Sequence, residues 1–452
     1  MGSPHRYIPN TEQDVASMLS DIGVSSIDDL FAPIPDELKF KGALNLPKAM
    51  SEPELLDELS CLAAQNASAG RYASFLGGGI YNHYVPSAVD HIISRSEFYT
   101  AYTPYQAEVS QGTLQAIIEF QTMIAELTAM DVANASMYDA GTAVAEAASV
   151  AVASTRKKKV VVTRATNPSY REVLKTYALP KGIEVIEVDY DAETGTTDTA
   201  VLEACVDTDT ACVIAQSPNY FGCIEDMASF GTKVHSLKGL FVAVVDPVSL
   251  ALLTPPGEYE ADIAVGEAQS LGNCTNFGGP LLGFFAAKSA LVRKLPGRLV
   301  GQTTDKSGKR GFVLTLQTRE QHIRREGATS NICSNEALCA LAATVYLSLM
   351  GPHGLKKVAE LCVQKAHYLA NELSKLPGFK LAFTGSFFNE FALKTPICSK
   401  KVNDHLFKSR IIGGKRLKDA YPELSKTSLW AVTETNTRAQ LDRLVAELEG
   451  LE

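Results

Sequence analysis

The segment from residue 159 to residue 246 constrains the fold most, because short apolar runs alternate there with helical segments. The apolar runs are VVVT, IEVIEVD, ACVIAQS and LFVAVVD, and the segments between them are PSYREVLKTYAL, DTAVLEACV and SFGTKVHSL. Continuous Val and Ile strands between helices are typical of βαβ units and of a parallel sheet that is covered on both faces. The sequence therefore predicts an α/β fold.

The two ends of the chain differ from this core and predict three parts. Two amphipathic helices near the start, the first with a capping box of Thr11 and Asp14 and a stop at Gly23, predict an N-terminal helical arm over 1–70. Residues 71–326 form the predicted large domain. After it come the helical run NEALCALAATVYLSLM, a break at Gly351-Pro352, a second helical run LKKVAELCVQKAHYLANEL, two or three short strands and a last helix. This pattern predicts a small C-terminal α+β domain over 327–452.

The composition of the chain indicates which classes of partner it is expected to bind. The chain has 42 Lys and Arg against 51 Asp and Glu, a net charge of −9, and RKKK (156–159) is its only tight basic run. Nine scattered cysteines without a C-x-x-C pair predict neither a disulfide framework nor a metal site. The apolar run 337–350 is shorter than the ~20 residues of a membrane span. We therefore expect a cytoplasmic protein that binds neither nucleic acid nor membrane; the start, MGSPHRYIPN, lacks an apolar signal region.

Asp246 ends the apolar run LFVAVVD, where open α/β sheets bind their ligands. A carboxylate at this position can hold a cationic ring nitrogen, as an Asp does for the pyridinium of pyridoxal phosphate (PLP). The alternative is that Asp246 only caps the turn into Pro247. The residue alone does not separate the two interpretations.

The stretch YDAGTAVAEA places Gly141 and Thr142 where a helix begins. Free backbone N–H groups and the helix dipole make such a position an anion site, so it is a candidate phosphate cup. The alternative is an ordinary helix start whose small residues allow close packing.

The stretch AYTPYQAEVSQG forms a polar and aromatic loop before a helix, with Tyr102, Tyr105 and Gln106 at its centre. Such a loop can present hydroxyl groups to a cofactor or a partner, and the alternative is an interface or a packed turn. A further stretch, QTREQHIRREGATSN, carries basic side chains that either receive an anionic group or lie on a solvated helix face. These side chains are Arg319, His322, Arg324 and Arg325; His322 lacks an obvious acidic partner nearby in the sequence and is not predicted to be catalytic.

The loop GEAQSLGNCTNFGGPLLGFF follows Asp246 and has the glycines and apolar strands of a cofactor cradle. A PLP cradle needs an amine for a Schiff base, yet there is no lysine from Gly239 to Ala287. The sequence therefore predicts a chain that has the shape of a cofactor site without its reactive residue.

Seven stretches taken together resemble the glycine cleavage system P-protein family. They are YTPYQAEVSQGTLQAIIEFQTMIAELTAMDVANASMYDAGTAVAEA, NYFGCIED, DPVSLALLTPPGEYEADIAVGEAQSLG, FGGPLLGFFA, LPGRLVG, TREQHIRREGATSNIC and FFNEFAL. The resemblance runs from about Tyr7 to the C-terminus. It implies a fold-type I PLP-dependent transferase-like fold, with a mostly parallel, seven-stranded-type sheet and a small C-terminal domain.

The length implies a role, because single-chain P-proteins have two homologous halves and this chain resembles only the first. It is thus similar to subunit 1 of the split form, whose partner is subunit 2. In the family the PLP lysine belongs to the second half, and the matching place here is Glu267 to Ser270. The resemblance implies that the partner binds PLP covalently, and that this chain has a degenerate cofactor pocket of Gly141, Thr142, Asp246 and Ser270.

Two departures from the family pattern weaken any claim that this chain binds PLP by itself. The family's first half commonly has Gly next to the Asp of MYDG, where this chain has Ala140 before Gly141. It often has His before the Pro that matches Pro168, where this chain has Asn167.

Three hypotheses for the function follow from the resemblance. In the first, the two subunits decarboxylate glycine and pass the aminomethyl group to the lipoyl arm of H-protein, within a two-plus-two heterotetramer. Tyr102, Tyr105 and Gln106 then form a wall of the intersubunit active site. In the second, the chain is a non-catalytic scaffold that stabilises subunit 2 and docks H-protein. In the third, it is a self-sufficient PLP enzyme, which would need Lys288 or Lys238 to reach the pocket.

Overall fold

The computed structural model describes residues 7–451, which form two compact units, one ending at Asn66 and the other beginning at Ala67. The helices are α1 (Glu12–Ile22), α2 (Glu52–Ala63), α3 (Ser87–Ile93), α4 (Ser96–Tyr99), α5 (Gln111–Thr128), α6 (Ala140–Thr155), α7 (Pro168–Lys181), α8 (Thr199–Cys205), α9 (Met227–Ser236), α10 (Gln321–Arg324), α11 (Ala337–Leu373), α12 (Ser399–Lys408) and α13 (Arg438–Leu448). Short 3-10 turns connect several of them.

The strands are short, mostly of two to six residues. They are β1 (Ala73–Ser74), β2 (Val132–Ala133), β3 (Lys159–Thr163), β4 (Glu184–Val188), β5 (Thr210–Ser217), β6 (Leu240–Val245), β7 (Ile263–Glu267), β8 (Gly283–Ala287), β9 (Leu299–Thr304), β10 (Arg310–Thr315), β11 (Lys380–Leu381), β12 (Glu390–Lys394), β13 (Ile411–Ile412), β14 (Lys415–Arg416) and β15 (Thr427–Ala431).

The first unit contains α1 and α2, and neither helix has a buried side chain. Both begin at a capping box, Thr11 with Asp14 and Ser51 with Glu54, and α1 ends at Gly23 in the left-handed region. The capping box and the stop at Gly23 that the sequence predicts for α1 are both confirmed. Local signals therefore define these helices, since no core of their own packs against them.

The central sheet of the second unit has seven strands in the order β2-β8-β7-β6-β5-β3-β4. All neighbours from β7 to β4 are parallel, and β8 is antiparallel to both β7 and β2. The predicted α/β fold with a mostly parallel, seven-stranded sheet is confirmed. Its carboxyl edge is the edge at which β3 to β7 end.

Both faces of this sheet are buried, which explains the continuous Val and Ile runs. Alternate residues of one strand enter different cores: Val160 and Val162 pack with α6, whereas Val161 packs with α9. Helix α6 is rich in alanine, so it approaches its face of the sheet closely. Each fully buried Val contributes roughly 1.5–3 kcal/mol, so the whole apolar run stabilises the fold.

A second, antiparallel sheet in the order β11-β12-β15-β14 lies in the C-terminal part, with α13 and the end of α11 in its core around Trp430. Strand β1 pairs in parallel with β13, and Phe75 is buried in the same core. The segment that opens the second unit is thus anchored to the C-terminal sheet. The three-part division predicted from the sequence stays a prediction.

Helix α11 is 37 residues long and bends at Gly351, whose φ of 58° precedes Pro352. The break that the sequence predicts at Gly351-Pro352, followed by a second helical run, is confirmed, because the backbone of Gly351 is non-helical and a helix continues after it. By length and composition alone α11 could cross a membrane. Side chains of both halves, such as Tyr346 and Leu369, are buried in the protein core, which is typical of a core helix.

Candidate functional site

The carboxyl edge of the central sheet brings the predicted pocket residues together. Strands β6 and β7 are parallel neighbours with Val245 opposite Gly266, so Asp246 and Glu267 stand side by side where they end. Helix α6 begins at the same edge, because its Ala140 N–H donates to Glu267 Oε2 at 3.1 Å. Gly141 and Thr142 in the first turn of α6, Asp246, and Ser270 just after β7 therefore share this edge.

The chain supplies its own carboxylates to the amino terminus of α6. Asp139 Oδ1 accepts from the Thr142 N–H at 2.7 Å, and Glu267 Oε2 accepts from Ala140. Glu267 Oε1 accepts from the Leu282 N–H at 2.7 Å, which ties the start of β8 to the same carboxyl group. These N–H groups, which favour an anion, thus have anionic partners within the chain.

Burial changes the charge of Glu267. Loss of contact with water raises the pKa of Glu267 to about 7, and the nearby charge of Asp139 adds to the rise. Around neutral pH the carboxyl group therefore carries a proton about half of the time. A phosphate placed at the same helix start would meet two carboxylates.

Asp246 is partly buried and caps the turn after its strand, as one of the two interpretations of the sequence predicts. Its Oδ1 accepts from the Val248 N–H at 3.1 Å, which caps the turn after β6. Its Oδ2 has no hydrogen-bond partner within residues 7–451, and the same holds for the buried hydroxyl of Ser270. Burial raises the pKa of Asp246, and the charge of His83 opposes that rise. One carboxylate oxygen thus remains available for a cationic group.

The glycine-rich segment LGGGI, residues 76–80, crosses this edge and joins it to the C-terminal sheet. Gly78 N–H donates to Glu390 Oε1 at 2.7 Å, and the Tyr81 hydroxyl donates to Glu390 Oε2 at 2.6 Å. A Cβ at Gly77 would stand 2.1 Å from Glu390 Oε1, so only glycine fits. Burial raises the pKa of Glu390 to about 7.

Asn167, the second of the two departures from the family pattern, holds this segment. Its amide Nδ2 donates to the Gly78 carbonyl at 2.9 Å, and its backbone N–H donates to Gln216 Oε1 at 2.8 Å. Gln269, just after β7, bonds both backbone groups of Tyr81. The glycine segment is therefore fixed on two sides, by residues of the large sheet and by Glu390.

Sequence reasoning missed these partners for an identifiable reason. Glu267 carries the same local signal as Asp246, an acidic residue at the end of an apolar strand, and could have been found from it. Glu390 lies more than 300 residues from Gly78 and Tyr81, so nothing in its neighbourhood in the sequence indicates the contact.

A second polar cluster involves His83, Cys362 and Glu434, whose ligand atoms all lie within 4.8 Å of one another. His83 Nδ1 lies 2.7 Å from Glu434 Oε2, and the Cys362 thiol lies 3.6 Å from the same oxygen. Burial raises the pKa of Cys362 well above its usual range, so the thiol keeps its proton. A metal ion would need the thiolate. As it stands, the cluster is a hydrogen-bonded anchor of the segment that contains His83.

The lysines that a self-sufficient PLP enzyme would need lie at the wrong edge. Lys238 precedes β6, and Lys288 Nζ lies 3.0 Å from Asp262 Oδ1, just before β7. The five residues of β7 place that edge about 13 Å from the one where Glu267 stands. Lys415 of β14 comes nearer, but its Nζ lies over the Tyr220 ring, 5.6 Å from the centroid.

Covalent PLP does not fit this edge of the chain. The place that matches the family's lysine, Glu267 to Ser270, contains no amine. The helix start that would hold a phosphate has Asp139 and Glu267 on its N–H groups. Only Asp246 keeps the free oxygen that a ring nitrogen needs.

The predicted tyrosine loop has the opposite character. Residues 101–106 have neither helix nor strand, and Tyr102 and Tyr105 are 80% and 58% exposed. Gln106 is exposed as well. Tyr99 and Tyr102 line a groove of about 70 Å³ with the start of α11, around Leu338. The loop therefore presents its aromatic side chains outward and is not a packed turn.

Tyr105 connects the loop to the edge of the sheet. Its hydroxyl accepts from Arg298 Nη2 at 3.0 Å, and the Arg298 carbonyl accepts from the Ala135 N–H just after β2. The loop therefore lies on the β2 side of the carboxyl edge, beside the start of α6.

Of the four basic side chains in the stretch 317–331, one is hydrogen-bonded to the backbone and three are exposed. Arg319 donates through Nη1 to the Leu295 carbonyl and through Nη2 to the Gly297 carbonyl, and burial lowers its pKa. His322, Arg324 and Arg325 are exposed. The prediction that His322 lacks an acidic partner is wrong, since its Nδ1 lies 3.6 Å from Glu320 Oε2.

Comparison with known proteins agrees with this architecture. The profile of the family described as "Glycine cleavage system P-protein" matches residues 5–448. The chain belongs to the glycine cleavage system P-protein family. A relative in Anoxybacillus flavithermus, named "Probable glycine dehydrogenase (decarboxylating) subunit 1", is 56% identical over 444 residues, covering 98% of each chain. A relative of the same name in Desulfitobacterium hafniense is 54% identical, over 97% of this chain and 98% of the relative.

Solved structures give the same result for the fold. A crystal structure of glycine decarboxylase (P-protein) of the glycine cleavage system, in inhibitor-bound form, superimposes with a TM-score of 0.90 and 43% identity, over 98% of this chain and 99% of that chain. A sphingosine-1-phosphate lyase from Burkholderia pseudomallei superimposes with a TM-score of 0.66 at 14% identity, covering 92% of this chain and 93% of that one. The predicted family and the fold-type I architecture are confirmed. The roles of the individual P-protein residues stay predictions.

Proposed function

We propose that this P-protein chain works with a second subunit to decarboxylate glycine and to pass the aminomethyl group to the lipoyl arm of H-protein. The observation that carries the proposal is the contrast between its sheet edge, where Glu267 to Ser270 contain no lysine, and its exposed tyrosine loop. The names of the 54–56% identical relatives support subunit 1 and hence a subunit 2. A cytoplasmic, two-plus-two heterotetramer belongs to the same proposal.

In this proposal the partner subunit binds PLP through its own lysine. When bound, PLP supplies the electron sink that a decarboxylation of an amino acid requires. This chain keeps the fold of a PLP subunit, but its helix start is satisfied by Asp139 and Glu267. Its contribution therefore comes from the surface that it turns toward the partner.

The tyrosine loop is the part of this chain that we place in the shared active site. Tyr102 is 80% exposed and its hydroxyl is free to donate or accept a hydrogen bond, which a small polar substrate needs. Tyr105 accepts a hydrogen bond from Arg298, which places its hydroxyl at the edge of the sheet in the free chain. Gln106 is exposed next to it. Together they orient the substrate and exclude water on one side.

The substitution Tyr102→Phe in the assembled complex tests this placement. It removes one hydroxyl and leaves the ring, so we expect glycine-dependent CO2 release to fall by about tenfold or more while assembly is unchanged. Tyr177→Phe, on α7 and away from the loop, is the matched control and should keep full turnover. Unchanged CO2 release by Tyr102→Phe would remove Tyr102 from the site.

The second candidate function is a scaffold that stabilises subunit 2 and docks H-protein without contributing to the chemistry. The closed edge and the exposed apolar side chains of α2, such as Leu55, Leu59 and Leu62, favour it. Titrating subunit 2 with this chain separates the two functions. For a scaffold, loop variants change the affinity between subunits, whereas for a shared site they change turnover at saturating subunit.

A self-sufficient PLP enzyme is the least supported candidate, because Lys238 and Lys288 lie at the opposite edge of the sheet. The absorbance spectrum of the isolated chain with PLP, before and after borohydride reduction, tests it. We expect no pyridoxyl-lysine in a subsequent peptide map. A reduced adduct on Lys415 or any other lysine near the carboxyl edge would reverse the assignment.

A further inference from the structure

Arg298 is a buried cation that lacks an anionic partner. Only 2% of the residue is exposed, and no carboxylate of residues 7–451 lies within 4.0 Å of its guanidinium. Nε donates to the Cys333 carbonyl at 3.1 Å and Nη2 donates to the Tyr105 hydroxyl at 3.0 Å. Nη1 is buried and has no hydrogen-bond partner in the described part of the chain.

Two other arginines show how this protein holds the same group elsewhere. Arg171 is 5% exposed, and its Nη1 lies 2.5 Å from Glu187 Oε1. Arg319 is partly buried and directs both Nη atoms to backbone carbonyls, whereas its Nε has no partner in residues 7–451. A guanidinium stays charged at any physiological pH, so burying one without an anion is costly. The unmatched charge and free N–H groups of Arg298 therefore indicate a place for an external anion.

The position of Arg298 relates this place to the proposed active site. Its backbone carbonyl accepts from Ala135, just after the edge strand β2, and its side chain reaches the tyrosine loop. Glu336 N–H bonds the Ser136 hydroxyl, so the start of α11 closes the same corner. Arg298 thus stands behind the surface on which we place the intersubunit wall.

We infer that Arg298 and Tyr105 form the binding site for the carboxylate of the amino-acid substrate. Nη1 has two N–H groups and Nη2 has one to spare, which matches the two oxygens of a planar carboxylate. Tyr105 accepts from Arg298, so its own O–H is left to donate to the same anion. This inference rests on the proposed function, because the substrate reaches the site only in the assembled complex.

Access to Nη1 runs past Tyr105. The guanidinium carbon lies 5.0 Å from the centroid of the Tyr105 ring, so the ring covers the charge in the free chain. Tyr105 is more than half exposed and lies in the irregular segment 101–106. A change of its side-chain rotamer therefore opens the guanidinium without moving a helix or a strand.

A phosphate ester shares oxyanion chemistry with a carboxylate, and the experiment must separate the two. The test is Arg298→Lys in the two-subunit complex, assayed for glycine-dependent CO2 release. Lysine keeps the charge and loses the planar pair of nitrogens, so KM for glycine should rise by about tenfold or more while kcat changes by less than about threefold. The affinity for PLP, followed by cofactor absorbance on reconstitution, should stay the same.

Arg319→Lys is the matched control, because Arg319 holds two backbone carbonyls and has no role in the inferred site. It should lower the unfolding midpoint and leave KM for glycine unchanged. A loss of PLP affinity in Arg298→Lys with an unchanged KM would assign the site to the phosphate and overturn the inference. Equal KM values for Arg298→Lys and the unsubstituted complex would overturn it as well.

A calorimetric titration tests the anion site separately from the proposed reaction. The complex without PLP is titrated with acetate, and then with inorganic phosphate, so that no turnover is needed. We expect acetate binding that weakens by about tenfold in Arg298→Lys and persists in Arg319→Lys. If the unsubstituted complex releases no CO2 yet shows this pattern, the anion site stands and the proposed reaction fails. If the acetate affinities are equal, the anion site fails.

Discussion

The corner around Glu267 and the corner around Tyr105 lie at the same edge of one sheet and differ in how their polar groups are satisfied. Glu267 accepts N–H groups from Ala140, Leu282 and Gln269, all within this chain. Tyr102 and Tyr105 point outward, and behind them Arg298 Nη1 has no partner in residues 7–451. The Glu267 carboxyl group thus has its partners within this chain, whereas Arg298 Nη1 has none among the described residues.

This difference indicates which corner we expect to take part in catalysis. A helix start, a strand-end aspartate and a glycine-rich loop suggest a cofactor site from the sequence, but their backbone groups are already bonded. The exposed loop has few regular hydrogen bonds and an unmatched charge behind it. Substitutions at the Glu267 corner should therefore change stability, and substitutions at the Tyr105 corner should change turnover.

The largest expected effect is that of Gly266→Ala at the closed corner. The new Cβ would stand 2.1 Å from the Val245 carbonyl oxygen and 2.7 Å from the Phe284 ring, inside two paired strands. We expect a loss of more than about 4 kcal/mol in the free energy of unfolding, seen as a much lower thermal midpoint or as insoluble protein. Gly112→Ala, which meets nothing within 4 Å at the start of α5, should be neutral or slightly stabilising.

Glu390→Gln should change how stability depends on pH. The folded-state pKa of Glu390 is about 7 and its ordinary value is 4.5, so the folded protein holds this proton more tightly. The stabilisation that protonated Glu390 contributes to the folded state is fully present below pH 4.5 and is lost as the pH rises through 7. Relative to the unsubstituted protein, Glu390→Gln should gain on the order of 3 kcal/mol between pH 5 and pH 8.

Denaturant titrations of both proteins across that range measure the difference, since all other groups titrate alike in the two. Glutamine retains an acceptor for the Gly78 N–H and offers a donor to the Tyr81 hydroxyl, so the glycine segment stays in place. If the two free energies of unfolding differ by the same amount at every pH, Glu390 titrates with its ordinary pKa. The site around Glu390 would then be more accessible to water than its burial indicates.

Glu267→Gln should cost about 2 kcal/mol at pH 5. The amide keeps one acceptor oxygen, so at least one of the N–H groups from Ala140, Leu282 and Gln269 loses its partner. Chemical denaturation at pH 5 measures the loss. The folded-state pKa of Glu267 is about 7 and its ordinary value is 4.5, so the unsubstituted protein loses stability as the pH rises through 7, and the cost should be smaller at pH 8. The comparison fails if the substitution is neutral at both pH values.

The smallest expected effect on stability is that of Tyr102→Phe. The hydroxyl lies on an 80% exposed side chain, so the free energy of unfolding of the isolated chain should change by less than about 0.5 kcal/mol. Thermal unfolding of the isolated chain measures it, alongside the CO2 release of the complex. A clear destabilisation would mean that Tyr102 is a packing residue, and the contrast between the two corners would be lost.

Much of the fold was predictable, because its signals are local. The Val and Ile runs that form β3, β5 and β6 are buried on both faces, and such continuous apolar runs are typical of parallel strands. The capping box of α1 and its stop at Gly23 involve residues three to five positions apart. The bend in α11 at Gly351 was predictable as well, since a Gly-Pro pair between two helical runs marks a break, and the helix continues after it.

The candidate site was predictable only in outline. Asp246 and the start of α6 carry local signals and do lie at one edge. Glu390 on Tyr81, and Arg298 behind Tyr105, join residues 309 and 193 positions apart. No pattern in one sequence connects such positions, because the contact depends on how the two sheets and the loop are packed.

The sequence by itself determined the family, the parallel sheet and the absence of a lysine where the family's PLP subunit has one, since each is carried by residue identity or short periodicity. The tertiary structure alone decided that Glu267 fills the anion site of α6 and that Arg298 is left buried without a counter-ion. Both depend on which side chains burial brings together, and burial also sets their charge, because removing water raises the cost of any charge that the fold does not pair.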